Sequence, residues 1–237
     1  MCLYPRLIRN PKYRQNKKNG GNVPILKDKR ALWVPVGCQK CMECAKQRAN
    51  NWSIRLQEEI KTNRTGKFVT LTFSEETLIE LNEEIKDLQG YERENEIATL
   101  AVKRFRERWR KQKKYSLRYW LVTELGQKNT ERIHLHGIIF DNDVQEIKRS
   151  WEQYGEVWIG GYVNERTINY ITKYVTKPDP IHLEYRPVVF TSNGMGAKYI
   201  GTINNRLNTY KGKETNEMYT CRNGVKKTYR ATREKTR

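Results

Sequence analysis

The segment from Arg132 to Phe140 places the tightest constraint on how this chain folds. It reads Arg-Ile-His-Leu-His-Gly-Ile-Ile-Phe, and its aliphatic and aromatic content is typical of a buried β-strand. Residues two apart in a strand project to the same face, so His134 and His136 are predicted to lie side by side. Two neighbouring neutral imidazoles suit a divalent metal. The alternative is that both are core histidines that are hydrogen-bonded to the backbone.

A second strand is predicted from Leu117 to Glu124, and the loop that follows should join it to the histidine strand as a hairpin. If the numbers of paired residues sum to an even value, Glu124 lies on the same face as His134 and His136. A carboxylate and two imidazoles would then form a three-ligand site with open positions, suited to a catalytic cation. The alternative places Glu124 in solvent at the end of the hairpin.

Residues 164–177 predict a helix that Asn164 caps and Pro178 ends. Its buried stripe is predicted to be Ile168, Ile171 and Val175. The opposite face carries two tyrosines interleaved with lysines at helical spacing, namely Tyr170, Lys173, Tyr174 and Lys177. The alternative is that these are stems packed on the surface with their polar tips in water.

A net charge of +19, with six tryptophans and fourteen tyrosines, favours a polyanionic partner whose unpaired bases can stack on aromatic rings. The 237 residues suffice for one good core with a small appended module. The sequence shows neither a membrane-spanning run nor a signal-peptide core, so we expect no membrane partner and reduced cysteines.

Three cysteines at turn spacing, Cys38, Cys41 and Cys44, predict a structural zinc site. Tetrahedral zinc requires a fourth ligand, for which Cys2 is the first choice and Cys221 the competitor. The alternative is a set of cysteines without a metal. Such a site would order the N-terminal arm, whose first 37 residues are predicted to be irregular because prolines and glycines interrupt them.

The remaining pattern alternates helices and strands. Helices are predicted from Ala45 to near Gly66, after the Ser74 cap, over 95–112 and over 143–153, and further strands over 67–73 and 156–163. The helix over 95–112 should bury Ile97, Ala101, Phe105 and Trp109. Its other side is densely basic and either binds phosphate or is simply solvated; it includes Lys103, Arg104 and Arg108.

Three of these motifs occur in an order that resembles the rolling-circle replication initiators of the HUH endonuclease superfamily. They are Phe68–Phe73, His134-Leu-His136, and the paired-tyrosine helix Tyr170–Lys177. The start Met1–Pro5 and the cysteine cluster, followed by Gln47, Arg48 and Trp52, look like the initiators of gokushovirus-type single-stranded DNA phages (Microviridae).

The resemblance implies an α+β fold: a central antiparallel sheet, the ferredoxin-like HUH palm, with flanking helices and a cysteine-rich arm. It implies an arm over 1–66 packed on the main domain, an endonuclease domain over 67–200 and a basic tail over 201–237. The implied reaction nicks the single-stranded DNA origin, leaving a 5′-phosphotyrosine and a free 3′-hydroxyl, and later joins strands.

In that reading Tyr170 and Tyr174 are nucleophiles, Lys173 and Lys177 assist them, and His134, His136 and Glu124 hold Mg²⁺ or Mn²⁺. Zn²⁺ is structural. The implied setting is the cytoplasm of a bacterial host, with host replication proteins such as helicase and polymerase as partners. The competing class is a non-catalytic zinc protein that binds nucleic acid, for which the histidines and tyrosines would be dispensable.

Overall fold

The computed structural model describes residues 2–85, 87–126, 131–176, 181–182, 184–202, 216–220 and 226–230. The chain divides into two compact units, Met1–Arg48 and Ala49–Arg237. The α-helices in the described ranges are α1 (Met42–Thr62), α2 (Glu75–Glu84), α3 (Gly90–Lys113), α4 (Val144–Trp151) and α5 (Glu165–Lys173). The strands are β1 (Arg6–Arg9), β2 (Trp33–Val36), β3 (Gly66–Leu71), β4 (Tyr119–Leu125), β5 (Ile133–Phe140), β6 (Val157–Ile159), β7 (Val189–Thr191), β8 (Asn216–Thr220) and β9 (Lys226–Arg230).

The second unit is built on a five-stranded antiparallel sheet with the order β6-β3-β5-β4-β7. The histidine strand β5 is therefore central, and the two edge strands are only three residues long. Short edges limit unwanted pairing with other chains. The α+β architecture predicted from the sequence is confirmed, and so is the hairpin, because β4 pairs Glu124 with His134.

Alternation along the strands separates two hydrophobic layers. Odd-numbered residues of β3, β4 and β5 pack against α2, α3 and α4, whereas Trp120, Val122, Ile138 and Phe140 pack against α5 and the part of α1 that follows Arg48. Both layers contain side chains with no solvent exposure. Helix α1 thus joins α5 on the histidine face of the sheet, a position that the sequence did not predict.

Gly137, directly after His136, holds the histidine strand close to its partner. A Cβ atom at this position would lie 2.1 Å from the carbonyl oxygen of Trp120 and 2.8 Å from the Cα of Leu121. Both contacts are with backbone, which cannot move aside without separating the strands. Only glycine allows this approach, and it fixes how β5 presents His136.

An ion pair anchors α1 to the sheet. The Arg118 guanidinium donates two hydrogen bonds to the Glu59 carboxylate, and the Gly196 amide donates a third. Burial acts to raise the pKa of Glu59, but these hydrogen bonds outweigh it and hold the pKa below its usual value. The carboxylate is therefore ionised at neutral pH, and its charge is compensated within the fold.

The first unit contains more regular structure than the sequence predicted. Strands β1 and β2 pair in antiparallel register from Arg6 opposite Val36 to Arg9 opposite Trp33, and three short 3₁₀-helices lie between them. The prediction that residues 1–37 are irregular is wrong for these strands. Every residue of β1 is exposed, so no alternation of apolar and polar residues marked it.

No helix in the described ranges combines the length and apolarity needed to cross a membrane. In the C-terminal segment, β8 pairs with β9 in antiparallel register. Two residues that figured in the sequence predictions, Lys177 and Cys221, lie outside the described residues.

Candidate active site

Glu124, His134 and His136 converge on one face of the β4–β5 hairpin. Glu124 lies directly opposite His134, and His136 is two residues further along β5. The Glu124 Oε2 atom lies 2.9 Å from His136 Nε2 and 3.3 Å from His134 Nε2. The three ligand atoms lie within 4.8 Å of one another. Their side chains are only 12–21% exposed, so the group is a partly enclosed pocket for a cation.

The other nitrogen of each imidazole is held by the protein. His134 Nδ1 lies 3.2 Å from the carbonyl oxygen of Arg132, which can only accept, so this nitrogen carries the proton. In the neutral ring the lone pair is then on Nε2, which faces the Glu124 carboxylate. Two electron-rich groups repel each other unless a proton or a cation lies between them. The donor set therefore fits a divalent cation bound through both Nε2 atoms and one carboxylate oxygen.

Thr70 orients the second histidine. Its hydroxyl lies 3.0 Å from His136 Nδ1, and β3 pairs Thr70 directly opposite His136. Partners of this kind fix the orientation of a metal-binding imidazole. The sequence placed Thr70 on the same face of its strand as Phe68 but gave it no role, because only the pairing of β3 with β5 brings it to the histidine.

Helix α5 lays the two tyrosines against this triad. Asn164 caps the helix through a reciprocal pair of hydrogen bonds with Thr167, as the sequence predicted for the cap. The Tyr174 ring stacks on His136, with 4.5 Å between ring centroids and 13° between planes. The Tyr174 hydroxyl donates to the Tyr170 hydroxyl oxygen at 2.5 Å. The two phenols and the three ligands thus form one continuous cluster.

The two tyrosines differ in environment. Tyr174 is 8% exposed, whereas Tyr170 is 50% exposed. Burial raises the pKa of Tyr174, and the hydrogen bond to Tyr170 and the negative charge of Glu124 raise it further. The sequence analysis expected Lys173 and Lys177 to favour the phenolate. Lys173 is exposed on α5, and Lys177 lies outside the described residues.

A cavity of about 390 Å³ borders the ligand group. His134 forms part of its wall, together with Ser74 and Arg132 and with the backbone around Gly126 and Gly155. Arg132 also forms an ion pair with Glu75 at 2.7 Å. The cavity offers hydroxyl and guanidinium donors beside a ligand atom, which suits a phosphate or sugar group.

The basic side of α3 is partly occupied by intramolecular contacts. Arg104 makes two hydrogen bonds to the Glu84 carboxylate. Arg108 donates to the carbonyl oxygen of Ser150 and to the hydroxyl of Tyr154. Lys103 is exposed. Of these three predicted DNA contacts, two side chains therefore also stabilise the fold, and their binding role stays a prediction.

In the first unit, four thiols lie together. The sulfur atoms of Cys2, Cys38, Cys41 and Cys44 lie within 4.8 Å of one another, with 3.8 Å between Cys41 and Cys2 and 4.0 Å between Cys38 and Cys44. Tetrahedral zinc with Zn–S bonds of about 2.3 Å requires sulfur–sulfur separations of about 3.8 Å. The spacing therefore fits a four-thiolate zinc site, with Cys2 as the fourth thiol.

The thiols are in unequal surroundings. Amide donors from Leu3 and Cys44 lower the pKa of Cys41 to about 6, and amide donors from Cys41 and Lys40 also lower the pKa of Cys38. Burial raises the pKa of Cys44 to about 12. The cluster thus contains two thiols whose thiolate form is favoured by the backbone and one that is penalised by burial.

Residues 66–179, just under half of the chain, match a family model of replication-associated proteins of the ORF2 type. The matched segment contains Glu124, both histidines and both tyrosines. The replication-associated protein ORF2 of Spiroplasma virus 4 is 25% identical over 258 aligned positions, which cover 95% of this chain and 76% of that protein. The chain is similar to viral replication-associated proteins. No solved structure matches it significantly.

Proposed function

We propose that this chain initiates rolling-circle replication of a single-stranded DNA phage by nicking the origin strand with a tyrosine, as in the HUH endonuclease superfamily. The two sequence similarities support a role in the initiation of replication. The observation that carries the nicking mechanism is the stacking of Tyr174 on His136, with Tyr170 hydrogen-bonded beside it. A central strand that bears both histidines agrees with a ferredoxin-like HUH palm.

Glu124, His134 and His136 would hold Mg²⁺ or Mn²⁺. When bound, this cation supplies Lewis-acid polarisation of the scissile phosphate. The mixed donor set favours Mn²⁺ of the two, because Mg²⁺ prefers oxygen ligands and near-ideal octahedral geometry. The partial burial of the three side chains strengthens their electrostatic contribution.

Tyr170 is the proposed nucleophile in the first cleavage. Its oxygen attacks the phosphorus atom and the bond to the 3′-oxygen breaks. The phenol loses its proton to solvent, the 3′-oxygen gains a proton, and the products are a 5′-phosphotyrosine and a free 3′-hydroxyl. Tyr170 is half exposed, so an incoming strand can reach it. The hydrogen bond that Tyr174 donates to the Tyr170 oxygen would stabilise a developing phenolate.

Tyr174 is proposed to act in the second transfer. The two residues are one turn apart, about 6 Å along the helix axis, and their hydroxyls touch, so both can reach one phosphate. A regenerated origin must be cut while the first 5′ end is still attached to the enzyme. A second tyrosine allows this cut and the later strand joining without release of the DNA.

The lysines of α5 and the basic face of α3 are proposed to bind the DNA backbone. Lys173 is exposed one turn from Tyr170, where its ammonium group can neutralise a phosphate next to the scissile one. Lys103 is exposed on α3 and can do the same further along the strand. Such contacts position the strand but do not read its sequence.

The decisive experiment is to trap the covalent product. Purified protein is incubated with the single-stranded circular DNA of its own phage, with Mn²⁺, Mg²⁺ or a chelator, and the DNA-linked peptide is mapped by mass spectrometry. We expect a metal-dependent adduct on the peptide that contains Tyr170, with a second population on Tyr174. Cleavage without an adduct on either tyrosine would contradict the mechanism, since water or another side chain would then be the nucleophile.

A further proposal concerns the four thiols of the first unit, which we assign as ligands of a structural Zn²⁺. The sulfur spacing supports it. A bound zinc would tie Cys2 to the start of α1, where Cys44 lies. Because binding free energy of this kind is folding free energy, the ion would order the residues between them.

Replacement of Cys41 by Ser should lower the zinc content from one ion per chain to a small fraction and expose the N-terminal residues to protease. The measurement is elemental analysis of purified protein with limited proteolysis. The fifth cysteine supplies the matched control, since Cys221→Ser should keep its zinc. Equal zinc in wild type and Cys41→Ser would remove the assignment.

A further inference from the structure

We infer that Trp158 is a stacking platform for an unpaired nucleobase of the DNA strand held at the candidate active site, an inference that rests on the proposed function. Trp158 lies in the edge strand β6, where it pairs with Thr70, and Thr70 in turn pairs with His136. Side chains of directly paired residues project to the same face. The indole is therefore on the histidine face, and it is 59% exposed.

One aromatic ring connects this indole to the reacting groups. The Phe68 ring lies 5.5 Å from the Trp158 ring and 6.2 Å from the Tyr170 ring, measured between centroids. It also stacks on His136 at 6.2 Å with 20° between planes. Trp158 is thus one ring away from both the proposed nucleophile and a proposed metal ligand. A nucleotide next to the scissile phosphate would have its base in this region.

The backbone holds the indole in place. A Cβ atom at position 160 would lie 3.2 Å from the Cη2 atom of Trp158, so Gly160 leaves room for the ring to lie against the chain. The Gly160 amide donates to the Phe68 carbonyl oxygen at 2.9 Å, which secures this turn to β3. The ring is supported on the protein side while more than half of the residue remains in water, as base stacking requires.

The surroundings favour nucleic acid over a protein partner. Beyond Gly160, the exposed Tyr162 lines a cavity of about 320 Å³ together with Lys61 and Arg64. A stacking ring followed by a basic cavity is the combination used for single strands, whose bases stack while cations track the phosphates. The net charge of +19 agrees with this occupant.

The test compares Trp158→Ala and Trp158→Phe with the wild type by fluorescence anisotropy, without divalent ions, so that binding is measured apart from nicking. The probe is a labelled single-stranded oligonucleotide of the phage origin region, alone or annealed to its complement. We expect Trp158→Ala to weaken single-strand binding roughly tenfold, as the loss of one stacked base predicts. Trp158→Phe should recover most of the affinity, and duplex binding should hardly change.

Tyr115→Ala is the matched control, since Tyr115 is 48% exposed but contacts Trp109, a residue of the layer on the other face of the sheet. It should bind single strands like the wild type. An abasic scan of the oligonucleotide should reveal one position at which removal of the base costs the wild type about tenfold and Trp158→Ala nothing more. The scan of the wild type needs no variant, so it is independent of any folding defect.

Wild-type affinity in Trp158→Ala, or an equal loss for single strand and duplex, would overturn the inference. The outcome for the proposed function is separate. If the wild type never nicks the phage strand but the Trp158-dependent step in binding is present, the nicking mechanism fails and the platform stands.

Discussion

Replacing both Tyr170 and Tyr174 by phenylalanine should reduce nicking of the phage strand to background and eliminate the covalent adduct. Phenylalanine keeps the ring that stacks on His136 and removes only the oxygen atoms, so the loss reports chemistry and not packing. The single variants should differ, because Tyr170 is half exposed and Tyr174 is buried. We expect Tyr170→Phe to slow the first cleavage strongly and Tyr174→Phe mainly to impair circle closure. Gel assays of nicked, linear and closed circles separate the two steps.

The exposed Tyr162 gives a matched control, since Tyr162→Phe removes a phenol oxygen outside the reacting cluster and should nick normally. A double variant that still forms closed circles would show that neither phenol attacks the phosphate. Equal defects in both single variants would contradict only the order that we assign to them.

Replacing His136 by alanine should lower metal-dependent nicking by roughly a thousandfold, because loss of a cation that supplies several kcal/mol of transition-state stabilisation has this effect on rate. His136 provides the shortest contact to Glu124, at 2.9 Å. The affinity for Mn²⁺, measured by calorimetry, should fall in parallel. Single-strand binding without metal should stay near the wild-type value.

Thr70→Val is the graded companion to this variant. It keeps the shape of the side chain and removes only the hydroxyl beside His136 Nδ1, so metal affinity should fall by about ten- to a hundredfold, as for other partners of metal-binding histidines. Full nicking by His136→Ala would refute the ligand assignment. Normal metal affinity in Thr70→Val would refute only the orienting role of the hydroxyl.

Local patterns predicted most of the elements and several of their buried faces. The stripe Ile97, Ala101, Phe105 and Trp109 is fully buried in α3, as its helical spacing predicted. Boundaries were less accurate, since α3 begins at Gly90 and α5 ends at Lys173. Helix ends depend on capping and on neighbouring chain, which a periodic pattern does not contain.

The sequence by itself determined the grouping of the ligands. A strand repeat of two residues places His134 and His136 on one face, and the short hairpin loop restricts the register enough to bring Glu124 beside them. The cysteine spacing likewise brought three thiols together, because residues three apart at the start of a helix are neighbours.

Only the tertiary structure decided what surrounds these groups. Thr70, Phe68 and Trp158 reach the site across strand pairings that link distant parts of the chain, and the burial of Tyr174 with the exposure of Tyr170 depends on where α5 packs. Helical spacing put both tyrosines on one face and could not distinguish them. Contacts between residues far apart in sequence are set by packing of whole elements, for which the local order of residues carries no signal.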